Sequence, residues 1–375
     1  MTVQPNTPVW EHGGWPGLEP LNGKARADVC VVGLGGSGLA AVHRLLELGA
    51  TVAGVDAGIV GGGAAGRNGG FLLAGTAPFH HEAVRRYGHD RALGIYRLTL
   101  EQIERMEEET PQAVRRTGSL RISTSPDEDR DCAEQLAAML ADDLEAEPYD
   151  GPEGRGLLLP RDGAYDPLLR CRLLAEDARR RGARLFEHSA AVKISGGVVQ
   201  TAQGSVHCGA VVVAIDGRLE QVLPDLRGHV RTARLQMLAT APTDEVSLPR
   251  PVYARYGYDY WQQLPDGRVA LGGMRDRAGE EEWTDAMEPS EPVQAMLERV
   301  LRDFVKVRAP ITHRWAAPVG YTESGLPVLA EVRPRVWATG GYSGTGNVPG
   351  ALCGRLAAEL ATGGRPAGAE WLETR

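Results

Sequence analysis

Apolar and polar positions along the chain switch between the period of a strand and that of a helix. Asp28–Gly33 is a short apolar run closed by glycine and predicts a buried strand. Gly36–Leu48 places Leu39, Val42, Leu45 and Leu46 at helical spacing, and Gly49 supplies the C-terminal stop. Thr51–Asp56 predicts a second strand. Strand, glycine turn, helix and strand within about 30 residues form a βαβ unit, because parallel strands need such a crossover. Residues 1–27 read as a polar lead-in. Residues 82–116, 128–143 and Pro167–Arg181 predict amphipathic helices. Short strands follow at Arg184–His188, Ala191–Ile194, Val198–Thr201, Ser205–His207 and Ala210–Ile215, with more over 229–273. A helix is predicted over 291–306, strands over 327–338, and a final helix over 347–361.

The glycine clusters lie near both ends of the chain, so the cofactor-type fold is expected to be assembled from separated stretches. The expected architecture is a Rossmann-type α/β domain from residues 1–85, 150–225 and 308–375. An inserted α+β domain, 86–149 and 226–307, is expected to carry a mainly antiparallel sheet with helices.

Composition narrows the picture. With 375 residues, 42% apolar and 24% charged, the chain is ordinary globular material. The net charge of −8 argues against nucleic acid as a partner. No apolar run approaches the roughly 20 residues of a membrane helix. Residues 1–25 show no basic start and apolar core, so no secretory leader is expected and the location is expected to be cytoplasmic. Cys30, Cys132, Cys171, Cys208 and Cys353 form no CxxC pair and read as reduced thiols; no metal site is expected. Lys24, Lys193 and Lys306 are the only lysines, which leaves few candidates for a catalytic amine.

Gly33-Leu34-Gly35-Gly36-Ser37-Gly38 matches GxGxxG between a strand and a helix. Gly33 serves the tight turn, Gly35 the approach of a pyrophosphate, and Gly38 the helix–strand packing. The helix N-terminus offers free N–H groups to the phosphates. Asp56 ends the second strand 18 residues after Gly38, where a carboxylate meets ribose hydroxyls. Two more clusters, GGGAAGRNGG at Gly61–Gly70 and GGYSGTG at Gly340–Gly346, extend the cradle beyond the first turn. A longer cofactor, FAD, suits that extension better than NAD; an NAD-dependent dehydrogenase and a non-catalytic flavin subunit are the alternatives.

With these motifs the chain resembles the D-amino-acid oxidase/glycine oxidase superfamily of FAD-dependent amine oxidoreductases. It is most similar to the gamma-glutamylputrescine oxidase-like branch. The resemblance rests on Trp10 and Trp15, Gly63–Gly70, Tyr258–Gly273, Trp315–Pro327 and the terminal GGYSGTG. It implies hydride transfer from a CH–NH or CH–NH2 carbon to flavin, then hydrolysis of the imine. It implies cofactor contacts at Gly33, Gly35, Gly36, Ser37, Gly38, Asp56, Ala57, Ala64, Ala65, Arg67, Asn68, Gly69 and Gly70. Further contacts are implied at Val192, Gly341, Gly344, Thr345 and Gly346. Tyr258, Tyr260, Trp261 and Tyr342 are the implied substrate pocket, and no acid–base residue is expected. The implied partners are a small-molecule amine and dioxygen or another electron acceptor.

The chain also departs from its relatives. Relatives pair a substrate carboxylate with an Arg or a Lys, and Val319 and Val348 occupy those places here. An unpaired buried carboxylate is costly, so an amine without a clamped α-carboxylate is the expected substrate. The alternative is an amino acid held by a relocated Arg255, Arg275 or Arg277. Ala317 stands where some relatives attach FAD through Cys, so FAD is expected to be non-covalent. Ala270 stands where they place an oxygen-activating Lys. His80, His81 and His313 are minor pocket candidates.

Overall fold

A computed structural model describes residues 4–372. Its centre is a six-stranded sheet, ordered Arg184–Phe186, Val52–Val55, Val29–Val32, Ala210–Ala214, Val336–Gly340 and Val328–Arg333. The first five strands are parallel and the last is antiparallel. Val29–Val32 is buried at every position, as a strand covered on both faces must be. The helices Gly36–Glu47 and Asn347–Ala361 pack side by side on this sheet, where Leu39, Val42, Cys353 and Leu356 share one core. At Gly354 a Cβ would lie 2.0 Å from the Ser37 carbonyl oxygen, so glycine permits the close crossing.

The second large sheet has nine strands, most of them antiparallel. Its spine is Ile311–Thr322 against Val230–Thr240, followed by Val269–Gly273, Asp259–Gln263, Val252–Ala254 and Ser119–Ile122. The helix Glu291–Arg299 covers one face of this sheet, burying Val293 and Leu297 against Leu238, Trp261 and Leu271. The α/β plus α+β architecture agrees with the sequence expectation.

Several elements differ in detail. The stretch 82–116 is two helices, His80–Tyr87 and His89–Glu109, because Gly88 between them takes φ +85°. The helix over 291–306 ends its regular part at Arg299 and finishes in a π turn, Val300–Phe304. The lead-in is not simply polar: Val9, Trp10, Leu18 and Leu21 are buried, and Gly23–Arg26 joins a four-stranded sheet. Gly154–Leu159 and Ile311–Thr322, expected with the cofactor domain, hydrogen-bond into the nine-stranded sheet. Both belong to that sheet by their strand pairing, which linear sequence blocks do not capture.

Candidate functional site

The βαβ unit shows why its glycines sit where they do. Gly33 takes φ +98°, and a Cβ there would lie 2.5 Å from the Ala214 carbonyl oxygen. A Cβ on Gly38 would lie 1.8 Å from the Gly33 carbonyl oxygen, so the first turn of the helix rests on the strand end. Gly35 has ordinary extended angles, and its Cβ would meet only Ala65 Cβ at 3.0 Å. The helix start carries no side-chain cap and no acid in its first turn. Its N–H groups and positive dipole end therefore face open space.

That space is a cavity of about 1140 Å3. It runs past Gly33–Ser37, Asp56–Ile59 and Gly61–Gly69, then Ser343–Asn347. Asp56 accepts from Leu34 N at 2.7 Å and Gly58 N at 2.8 Å, one bond to each oxygen. Burial raises its pKa and those two N–H bonds oppose the rise. Each oxygen keeps a lone pair for a hydroxyl donor. Val192, an expected contact, is instead 68% exposed and absent from the cavity wall. It begins a hairpin by donating from its N–H to Gln200 O, and His188, Ala190 and Ala191 line the cavity in its place.

The second cluster is a braced loop. Arg67 donates from Nε to the Ala316 carbonyl at 2.8 Å and from a terminal nitrogen to the Asn6 carbonyl at 2.8 Å. Trp315 Nε1 donates to the Arg67 carbonyl, and Trp10 Nε1 to that of Asn68, both at 2.8 Å. Asn68 Nδ2 reaches back to Ala65 O at 2.8 Å while its Oδ1 accepts from Gly70 N at 2.8 Å. Arg67 and Asn68 thus spend their side chains on holding Ala64–Gly69 against the long strand. Both residues line the cavity together with Ala64, Ala65 and Gly69.

The C-terminal turn closes the same wall. Tyr342 N donates to Asp216 Oδ1 at 3.0 Å, and Ser343 N to Gly320 O at 2.9 Å. Burial raises the Asp216 carboxyl to about 6 against the pull of the Tyr342, Gly320 and Gly341 N–H groups. Gly344, Thr345 and Gly346 line the cavity, whereas Gly341, with φ +66°, shapes the turn from behind. The Tyr342 ring is buried, and its hydroxyl points at Ser37 and Thr339. It therefore braces the two glycine turns while also bordering the cavity.

Beyond Gly69 the cavity becomes aromatic. A Cβ on Gly69 would touch the Tyr260 ring at 3.1 Å. Phe71 and Tyr253 pack edge-on at 5.0 Å, and the Tyr253 and Tyr260 centroids are 6.0 Å apart. Tyr253 and Tyr260 are cross-strand partners, which puts them on one face. Tyr258 lines this chamber too. Trp261 points the other way, as strand alternation requires. It is 2% exposed, in the core against Phe304, and has no access to substrate. Tyr253 and Tyr321 were missed from sequence; the signal for Tyr321 is its spacing of two from Val319 on one strand.

Val319 and Ala317 line the cavity. Val348 does not: it is fully buried in the last long helix among Leu72, Met106 and Tyr165, so its identity says nothing about a carboxylate. Ala270 is likewise buried away from the cavity, beside Trp315 and Met237. His80 pairs with Asp142 at 2.6 Å, and His81 lies 3.6 Å from Asp131 and 3.5 Å from Glu134. None of His80, His81 and His313 borders the cavity. Of the three relocated-anchor candidates, Arg255 is paired with Asp276 and Asp259, and Arg277 is exposed beside Asp276. Arg275 alone lines the cavity.

The donor set fits FAD. Two helix starts and a glycine loop offer backbone N–H groups, a strand-end acid offers hydroxyl acceptors, and an unbranched glycine wall leaves room for a long cofactor. Residues 28–360 match the family described as FAD dependent oxidoreductase. The chain is 28% identical over 369 residues to a probable oxidoreductase OrdL of Rhizobium meliloti, covering 92% of this chain and 85% of that protein. It is 28% identical over 375 residues to the gamma-glutamylputrescine oxidoreductase of Escherichia coli, covering 92% and 86%. Its fold is similar to glycine oxidase from Geobacillus kaustophilus, with a TM-score of 0.75 and 22% identity over 92% of this chain and 96% of that one. It is also similar to L-proline dehydrogenase from P. horikoshii, with a TM-score of 0.77 and 17% identity over 94% and 97%. Among the described residues, no helix is long and apolar enough to cross a membrane.

Proposed function

The chain belongs to the FAD dependent oxidoreductase family, and from that premise we propose that it oxidises the CH–NH bond of an amine to an imine, with FAD held non-covalently. When bound, FAD would supply the hydride acceptor for the amine carbon; the nitrogen proton would leave to solvent, and water would hydrolyse the imine to a carbonyl compound and an amine or ammonia. The gamma-glutamylputrescine oxidoreductase relative supports an amine as the substrate class.

The observation that carries the reading is the Tyr260 ring lying against Gly69, where the cofactor loop meets the aromatic chamber. Tyr253, Tyr258 and Tyr321 extend that wall. Burial raises the Tyr260 and Tyr253 hydroxyls and lifts Tyr321 to about 12. The phenols therefore remain neutral. They offer π faces and O–H groups to an ammonium or amine and do not act as bases. Around the cofactor, the first helix start receives phosphate and Asp56 receives ribose hydroxyls.

The test is anaerobic bleaching of the bound flavin against a panel of primary amines, secondary amines and amino acids. Bleaching by an amine, with a carbonyl product recovered, is expected. A flavin that no member of the panel bleaches would overturn the reading and favour a non-catalytic flavin subunit.

A further inference from the structure

We propose that His81, Asp131 and Glu134 form a binding site for one zinc-class divalent cation, placed where two helices that border the cavity pack together. The site goes beyond the proposed amine oxidation and does not rest on it. It departs from the sequence expectation of no metal site. No short motif announces it, because Asp131 stands 50 residues after His81 and the donors meet only in the fold.

The helices are His80–Tyr87 and Pro126–Ala141. The first gives Glu82 and Arg86 to the cavity wall, and the second gives Glu128 and Cys132. Asp131 and Glu134 are three residues apart on the second helix and so share a face. His81, in the first turn of the other helix, meets both. Its Nε2 lies 3.6 Å from Asp131 Oδ1 and 3.5 Å from Glu134 Oε2, and the three donor atoms lie within 4.8 Å of one another. The two distances from Nε2 are long for a charge-assisted hydrogen bond, which spans about 2.7–2.9 Å. They are close to the edge of a coordination tetrahedron, because bonds of about 2.0–2.1 Å to zinc set neighbouring donors about 3.3–3.4 Å apart.

The imidazole is held in place with nothing else to bind. The His81 side chain is 8% exposed, its Nδ1 is buried without a hydrogen-bond partner, and the Phe79 ring packs edge-on against it at 6.0 Å. Burial, and then the Arg85 charge, hold its pKa below the usual value, against the Glu134, Asp131 and Glu82 carboxylates. Neutral imidazole is the form that binds a metal ion. The Tyr256 hydroxyl donates to Asp131 Oδ2 at 2.8 Å, which leaves Oδ1 turned to His81. Such an outer contact orients a metal-binding carboxylate. Two carboxylates and a neutral ring balance a divalent charge. A nitrogen beside two oxygens suits zinc better than calcium or magnesium, which take oxygen sets. The Glu134 side chain is 54% exposed, so an ion has an entry path and water can take the fourth position. Arg85 is the competitor, 3.1 Å from Glu134 Oε2. It is itself mostly exposed, so this is a weak surface pair and the guanidinium can swing away.

The test uses FAD-loaded protein without a histidine tag, titrated with Zn2+ in competition with a chromogenic chelator and followed by thermal unfolding. One Zn2+ per chain is expected, with a Tm that rises with Zn2+ concentration, as for any ion that binds the folded state alone. Loss of an outer contact to a metal ligand weakens binding about 10–100-fold, so Tyr256→Phe should cost roughly tenfold and His81→Ala about 100-fold or more. His81→Ala should also abolish the rise in Tm. Arg85→Met should tighten binding, because it removes the competing cation. His207→Ala, at an exposed histidine on the strand Gly204–His207, should change nothing. A wild type that takes up no stoichiometric Zn2+, or His81→Ala with wild-type affinity, overturns the proposal. Mg2+ bound as tightly as Zn2+ overturns the chemical class assigned to the site, and weaker binding in Arg85→Met contradicts the competition on which the geometry depends. If His81→Ala does not fold, Glu134→Gln decides, since that side chain is exposed: weakened binding supports the site, and unchanged affinity overturns it.

Discussion

The Tyr342 hydroxyl donates to Ser37 Oγ at 2.7 Å, joining two glycine turns that are 305 residues apart in the chain. The same hydroxyl lies 3.1 Å from Thr339 Oγ1. The start of the first helix and the last turn before the final long helix are therefore one wall of the cavity. Tyr342→Phe keeps the packing and removes the polar link, leaving two buried hydroxyls short of a partner. The expected loss is about 1–3 kcal/mol of stability, with weaker FAD retention. Denaturant unfolding of the FAD-free protein and FAD titration check the two parts separately. Unchanged values in both would show that the link contributes nothing.

Gly35 and Gly38 have different reasons for being glycine, and substitution separates them. Gly35 has backbone angles open to any residue, and its Cβ would meet only Ala65. Gly35→Val is expected to fold and to lose FAD, because the branched side chain fills the space where a pyrophosphate meets the backbone. Gly38→Ala drives a methyl into the Gly33 carbonyl and is expected to cost stability before any cofactor is added. Circular dichroism melts of both FAD-free variants, beside FAD titrations, would reveal the opposite pattern if this assignment is wrong.

Asp162 is wholly buried, accepts from Ser119 Oγ and Ala74 N, and has its carboxyl raised to about 6 by burial. The folded protein thus binds this proton more firmly than the unfolded chain. Its contribution is fully present below the unfolded value near 4 and is lost as pH rises through about 6. Stability of the FAD-free protein should fall over that window, and Asp162→Asn should remove part of the fall. Asp216, raised in the same way, supplies another part. Urea midpoints between pH 4.5 and 7 measure it; an Asn variant with the wild-type slope would exclude Asp162 as a source.

FAD should leave the polypeptide on heating or acid treatment. Ala317 lines the cavity with no thiol to form a linkage. The two cysteines on the cavity wall, Cys132 and Cys171, are buried, with thiols pushed up to about 11 and about 12. A protonated thiol is a poor nucleophile. Flavin fluorescence should appear in the supernatant after precipitation; fluorescence travelling with the denatured chain on a gel would contradict this.

What the sequence determined by itself is the local chemistry of the cofactor cradle. A strand, GxGxxG, a helix and a terminal acid are contiguous, and each residue's job follows from steric rules that act within a few residues. The final helix, Asn347–Ala361, is readable for the same reason: its apolar spacing and preceding glycine turn are local. The substrate chamber depended on pairings between distant strands. Val192 was misplaced because only the loop after Phe186 decides which backbone reaches the cavity. Val348 was counted as a pocket position, although the packing of its helix buries it. Trp261 was grouped with its aromatic neighbours, but the pleat turns it into the core. Arg275 was one of three equal candidates until tertiary structure gave Arg255 and Arg277 to Asp276 and left Arg275 among rings. Which charge is free is a property of what surrounds it in space, and those neighbours come from separate segments of the chain.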